Sequence, residues 1–435
     1  RIRSLGYEPG IWTCPFIADL QSELTRHHPG WILKDTAGKP VIFVMGGVDN
    51  YTLDTTHPQV LAWLKDLFAG LRRQGYTYHK FDFMRAVAQA SRSVLNAELG
   101  AGSGPQGANP AFHDPTATRA QAFRRGLAAI HDALGDGAYL LVCGGLYLPA
   151  IGLADAQRSG SDVRSRWTQP RADTRVRQNL LRWWMNRLWR QDPDAMMVRR
   201  REKPFRENTI SLGLFTDEEA RTLTVNQYLG GGLVCFTERM SELDSDRAAL
   251  YRLCIPSLGV ESVPADLFVP GRIPSVHTTP VPSPAPGLPS WLTVAVINWL
   301  DDSHTFNLRL DKDSLAVAPP PAPFYLVWEY FEERLMGVFQ PGQPLPPLTV
   351  PAHGARVLRV TPWDGATIAL AGANRHLSMG GVEIARWTPT PGGVDVDVAS
   401  PWPGEFNLWF ALPGQPQPRI VQRPASNGQR LHLQV

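Results

Sequence analysis

An α/β fold followed by antiparallel β structure is what this sequence of 435 residues predicts. Three observations carry that prediction. Over residues 1–258, short apolar runs alternate with segments whose apolar residues recur at helical spacing. Residues 259–290 are rich in Pro, Ser and Val, as in Pro280-Val281-Pro282-Ser283-Pro284, and read as an extended linker. Beyond them the apolar period changes to two. The length itself favours two or three domains.

Each element follows in order. Gly10-Ile11-Trp12-Thr13 reads as a strand end. Thr56-His57-Pro58 opens a helix, with Pro58 suited to its first turn. Val60, Leu61, Leu64, Leu67, Phe68 and Leu71 form its apolar stripe, and Gly75 follows its end. Residues 76–83 are the next strand. Asp114-Pro115 opens a second helix, striped by Phe123, Leu127, Ile130 and Leu134 and stopped by Gly135. Residues 139–143 and 153–158 read as strands. Val176, Leu180, Leu181, Trp184 and Leu188 mark another helix, and 195–198 and 233–236 are the last strands of the run.

Strands alternating with helices argue for a parallel sheet, and about six βα units are visible where a closed barrel has eight. A doubly wound sheet and a (β/α)8 barrel both fit this pattern. No Gly-x-Gly-x-x-Gly follows the first strand, which speaks against a dinucleotide site. Residues 85–115 include Leu99-Gly100-Ala101-Gly102-Ser103-Gly104-Pro105, either a surface loop or a lid. Later strands at 292–298, 306–310, 324–328 and 356–360 suggest a β-sandwich over 291–362. A second small β module would span 363–435, with turn signals at Gly380-Gly381 and Pro391-Gly392-Gly393.

Composition narrows the function. A net charge of +3 gives no reason to expect nucleic acid or an anionic membrane as partner. No stretch is long and apolar enough to span a bilayer. Cys14, Cys143, Cys235 and Cys254 lack metal-ligand spacing and disulfide density, so reduced thiols in a cytoplasmic protein are expected. The chain starts at Arg1 with no Met or leader-like segment, which reads as a cut end. Assembly with further copies of the chain stays open.

In an α/β barrel, polar residues at strand ends carry the chemistry. In Tyr78-His79-Lys80-Phe81-Asp82-Phe83, alternation puts Tyr78, Lys80 and Asp82 on one face and Phe81 and Phe83 on the other. Lys80 beside Asp82 is either a buried structural ion pair or a device that keeps a nucleophilic carboxylate charged. Asp162, after Arg158-Ser159-Gly160-Ser161, is either a loop or cap residue or a second carboxylate above a strand end. Two carboxylates on different strand ends are what glycoside hydrolysis requires. Parity puts Asp155 on the face opposite Arg158. Trp12 ends a strand and is either a core residue or a sugar-stacking platform. Cys143 precedes Gly144-Gly145, where backbone can approach a ligand, or is an inert buried thiol. Asp301-Asp302 reads as a hairpin turn, and His27-His28-Pro29 as a surface loop.

Four segments resemble glycoside hydrolase family 36, the bacterial, melibiase-like α-galactosidases. They are Leu5 through Phe16 with His28-Pro29-Gly30-Trp31; the strand with Lys80-Phe81-Asp82; Gln121-Ala122-Phe123-Arg124-Arg125-Gly126 through Cys143-Gly144 to Asp155-Ala156-Gln157-Arg158-Ser159-Gly160-Ser161-Asp162; and Asp192-Pro193-Asp194. The resemblance implies a (β/α)8 barrel without metal or cofactor, acting on α-galactoside oligosaccharides. It implies Asp82 as nucleophile and Asp162 as general acid/base. It gives Lys80 a ring hydroxyl to bind, places Arg158 and Cys143 beside the 2-hydroxyl, and lines the pocket with Trp12. Family members carry a β-rich N-terminal domain and two more barrel strands, whose tryptophan and aspartate pair hold the 4- and 6-hydroxyls. The expectation is therefore a barrel whose first two βα units are missing from this chain. Related readings are an α-N-acetylgalactosaminidase, a galactosyl transferase, or a non-catalytic sugar-binding chain.

Overall fold

A computed structural model describes residues 1–45, 47–88, 109–160, 162–163, 167, 172–200, 215–270, 273–414 and 417–434. The glycine-rich segment at 99–105 lies outside the described residues. The chain forms two compact units. The first is residues 1–161 with 187–190, the second residues 162–186 with 191–435.

The first unit is built on parallel strands β1 (Gly10–Thr13), β2 (Tyr78–Phe81), β3 (Tyr139–Val142) and β4 (Ala156–Arg158), adjacent in that order. Arg190, also of this unit, continues the sheet by donating its N–H to Asp155 O at 2.8 Å. Among the described residues the parallel strands form an open sheet with no closed barrel. Helix α1 (Pro58–Arg73) starts on Pro58, with the His57 ring accepting the Gln59 N–H at 3.2 Å. Its stripe narrows to Val60, Leu64 and Phe68 in the core, while Leu67 is exposed. Helix α2 (Arg119–Leu134) begins later than Asp114-Pro115 suggests. Asp114 instead caps a turn through Thr116, and a reciprocal Thr118–Gln121 capping box starts the helix. Gly126 lets α2 pack closely: a Cβ there would lie 2.6 Å from Phe16. Between β1 and α1 the chain adds an antiparallel sheet of Ile17–Asp19, Val48–Thr52 and Ile42–Met45.

Two strand expectations in this unit are corrected. Residues 153–155 are not in the strand; they follow a short helix, Tyr147–Ala150, and only Ala156–Arg158 pairs. Phe83 does not share the face of Phe81. The chain leaves the sheet at Phe83, with φ 52°, so alternation ends there. Phe81 is buried edge-on to Phe68 at 5.4 Å, whereas Phe83 meets Phe43 at 5.6 Å.

In the second unit, Ala195–Met196 pairs in parallel with Cys235–Phe236, both shorter than expected. Helix α3 (Ala172–Leu181) comes before this pair. Helix α4 (Asp217–Gly230), opened by a Thr216–Glu219 capping box, joins its strands. The rest is antiparallel. A six-stranded sheet runs Val263–Pro264, Val276–Val281, Trp291–Ile297, Ala355–Trp363, Phe324–Glu329, Arg334–Phe339. The stretch read as a linker therefore supplies two strands. Of its prolines only Pro264 and Pro280 lie in these strands, the last and the next-to-last residue of their strand. Residues 291–362 and 363–435 are also not separate modules. Trp291, Ala295, Ile297 and Trp328 share one core with Leu370, Leu408, Trp409 and Phe410. Leu292, Val294 and Val296, on the opposite face, enter another with Tyr325, Val327 and Leu358. A strand buried on both faces shows no polar alternation, which hides its partners from the sequence.

Candidate active site

All strands of the first sheet run the same way, so Cys14, Asp82, Cys143 and Arg158 emerge at one edge, the carboxyl edge. In open parallel sheets that edge is where ligands bind. Pairing fixes the register there: Trp12 lies opposite Lys80, and Thr13 opposite Phe81. On β2, Tyr78 and Lys80 are half-exposed while His79 and Phe81 are buried, as alternation predicts.

Asp82 stands one residue beyond β2. Its own N–H donates to Thr13 O at 2.9 Å, which extends the ladder and holds the backbone. Both carboxylate oxygens accept hydrogen bonds. Trp12 Nε1 donates to Oδ2 at 3.1 Å, and the Phe83 N–H donates to Oδ1 at 2.8 Å. The left-handed turn at Phe83 follows immediately on this second bond. Both named neighbours are donors, which matches a carboxylate that accepts through each oxygen. Trp12 has half of its surface exposed while its N–H donates to Asp82.

Cys143 is where the charges of this edge meet. Its N–H continues the ladder to Phe81 O at 2.7 Å, and Arg158 Nη1 donates to its sulfur at 3.3 Å. Burial pushes the thiol up to about 12; Arg158 opposes that rise, Asp82 adds to it by charge and hydrogen bond, and Lys80 opposes it more weakly. Lys80, Asp82, Cys143 and Arg158 thus lie within one electrostatic neighbourhood. Cys14 belongs to it as well. Burial pushes its thiol up to about 12, with the Asp82 charge adding to the rise. Cys14 was not singled out from the sequence, although its position two residues past Trp12 puts it on the same face.

Asp155 is excluded from this group by a structural duty: its Oδ2 accepts the Leu140 N–H at 2.8 Å. Asp162 is exposed and belongs to the second unit. The Val163 N–H beside it donates to Asp194 Oδ2 at 2.7 Å. Asp301, in the predicted hairpin turn, contacts His353 Nε2 at 2.8 Å, and His28 stacks on Trp31 at 3.9 Å. Among the described residues, no group of three or more His, Cys, Asp or Glu could hold a metal, and no helix is long and apolar enough to cross a membrane.

No family model matches the chain. It is similar to TtGalA, an α-galactosidase from Thermus thermophilus solved with stachyose. That match has 27% identity and a TM-score of 0.45, over 57% of this chain and 50% of that one. The chain thus spans about half the length of that enzyme. It superposes over 83% of its length on 75% of a GH27 β-L-arabinopyranosidase from Geobacillus stearothermophilus, at 13% identity and a TM-score of 0.55. It superposes over 99% of its length on 79% of an isomalto-dextranase from Arthrobacter globiformis T6 solved with panose, at 15% identity and a TM-score of 0.53. The likeness is one of fold. Its structural neighbours include TIM-barrel glycoside hydrolases with C-terminal β domains.

Proposed function

We propose that this chain is the catalytic part of a retaining glycoside hydrolase acting on terminal α-galactosides. In this reading Asp82 attacks the anomeric carbon. Asp162 protonates the departing oxygen and then takes a proton from the incoming water. The observation that carries the reading is Asp82 itself: a carboxylate at the carboxyl edge of a parallel sheet, held by an indole N–H and a backbone N–H. A nucleophile needs that restraint. Two donors fix its angle, and the half-exposed Trp12 offers an apolar surface for a sugar ring. Lys80, Cys143 and Arg158 complete the binding edge, with Lys80 and Arg158 donating to ring hydroxyls. The first and third resemblance segments supply Trp12, Cys143, Arg158 and Asp162 in the order and spacing of family 36.

Turnover of aryl α-glycosides tests this reading. Hydrolysis of an α-galactoside with retained anomeric configuration, lost in Asp82→Ala and in Asp162→Ala, is the expected result. Inverted product, or unchanged turnover in Asp82→Ala, contradicts it. The same assay with the α-N-acetylgalactosaminide and with acceptor sugars separates the sugar specificity and any glycosyl transfer.

A further inference from the structure

We propose that Asp194 is the positioning residue for Asp162, acting through the backbone of Val163. The inference rests on the reading of Asp162 as general acid/base. Asp162 has no regular secondary structure to aim it and follows the Arg158-Ser159-Gly160-Ser161 segment. A carboxyl group that must meet a glycosidic oxygen within hydrogen-bond reach needs a defined backbone beneath it. The Val163 N–H donates to Asp194 Oδ2 at 2.7 Å, a short bond of the charge-assisted kind, and so pins the peptide that follows Asp162.

Asp194 is built to serve as a fixed post. Pro193 before it has a locked φ, and Asp194 itself lies at φ 72°. A residue with a Cβ rarely takes that conformation, and aspartate tolerates it better than most. The Asp194 N–H donates to Asp192 Oδ1 at 2.9 Å, and Gln227 Nε2 donates to the Asp194 carbonyl at 3.4 Å. Asp192 is buried, and Cys235 Sγ approaches its Oδ1 at 3.8 Å. The strand Ala195–Met196 begins directly after Asp194. Both backbone polar groups of Asp194 are therefore hydrogen-bonded. Strained backbone that persists in this way marks places where direction matters. Asp192-Pro193-Asp194 stood out in the sequence without a role; holding the loop of the acid/base residue is the role we give it.

Asp194→Gly is the informative variant. Glycine accepts φ 72° without strain, so the substitution deletes the carboxylate and leaves the backbone shape. A residue that positions the acid should matter only when the leaving group needs a proton. We expect kcat/KM for phenyl α-galactoside to fall about 10²-fold, as for a displaced catalytic group. For 2,4-dinitrophenyl α-galactoside, whose leaving group departs unprotonated, the loss should be a small fraction of that. Asp194→Asn keeps an acceptor oxygen and tolerance of the left-handed region, and should recover most of the phenyl activity. It also serves if Asp194→Gly does not fold. Equal losses on both substrates, or none on either, in a variant that melts like the parent would overturn the inference. Asp162→Ala is run beside it. If that variant shows no leaving-group dependence, the acid/base reading itself has failed; if it does and Asp194→Gly does not, only the positioning role has.

Discussion

Strand β2 of the first unit's parallel sheet and strand Trp291–Ile297 of the second unit's antiparallel sheet bury their residues in different ways. In β2, His79 and Phe81 are buried while Tyr78 and Lys80 stay half-exposed. In Trp291–Ile297 every residue is buried, shared between two cores. Trp291–Ile297 gives both faces to packing. Strand β2 leaves one row half-exposed, filled with Tyr78, Lys80 and, one step on, Asp82. Substitutions should therefore separate the two regions, one reporting on chemistry and the other on stability.

The largest effect expected is at Asp82. Asp82→Asn should lower kcat by about 10⁴- to 10⁶-fold, in the range seen when a nucleophile is removed, with an unchanged melting curve. A large loss of stability instead would make Asp82 a structural residue and erase the contrast. Trp328→Ala should do the reverse. Trp328 is buried and packs on Trp409 at 4.9 Å, and its loss should destabilise by about 3–5 kcal/mol in denaturant unfolding.

Acid should strike the second unit. Burial lowers His277 and His376 to about 4, so both are neutral in the fold and protonate more readily when unfolded. Their stabilisation is complete above pH 6.5 and is lost as pH falls through 4, by roughly 3 kcal/mol per histidine. Burial raises Glu383 to about 7, so it works with the opposite sign: its stabilisation is present below its ordinary value of 4.5 and fades as pH rises through 7. Melting temperatures of Glu383→Gln between pH 7 and 4 should show the histidine loss undiluted. A flat profile would contradict the burial argument. The smallest effect concerns thiols. Cys14 and Cys143, pushed up by burial, should react slowly with iodoacetamide at pH 8, and rapid labelling of Cys143 would open the site geometry to question.

Much of this arrangement was legible in the sequence, and the limits have physical causes. Alternation along Tyr78-His79-Lys80-Phe81 placed Lys80 correctly because β2 is regular. It failed at Phe83 because a left-handed turn ends the period, and a residue of that kind carries no local signal. Asp114-Pro115 is a turn-forming pair as readily as a helix start, and the Thr118–Gln121 capping box decided between them. The proline-rich stretch before Trp291 looked like a linker because its composition hides the two strands it supplies. Trp12, Cys143 and Arg158 were read from strand ends and resemblance, and each lies at or within one residue of the carboxyl end of β1, β3 or β4. Cys14 and Asp194 were not given roles, since their partners, Asp82 and the Val163 N–H, are distant in sequence.

In the proposed reaction a carboxylate oxygen of Asp82 forms the bond to the anomeric carbon. A 2-fluoro-galactosyl inactivator, followed by proteolysis and mass spectrometry, measures this directly. A nucleophilic Asp82 predicts time-dependent inactivation with one label, on the peptide containing Lys80-Phe81-Asp82 and at Asp82 itself. A label on any other carboxylate would contradict it.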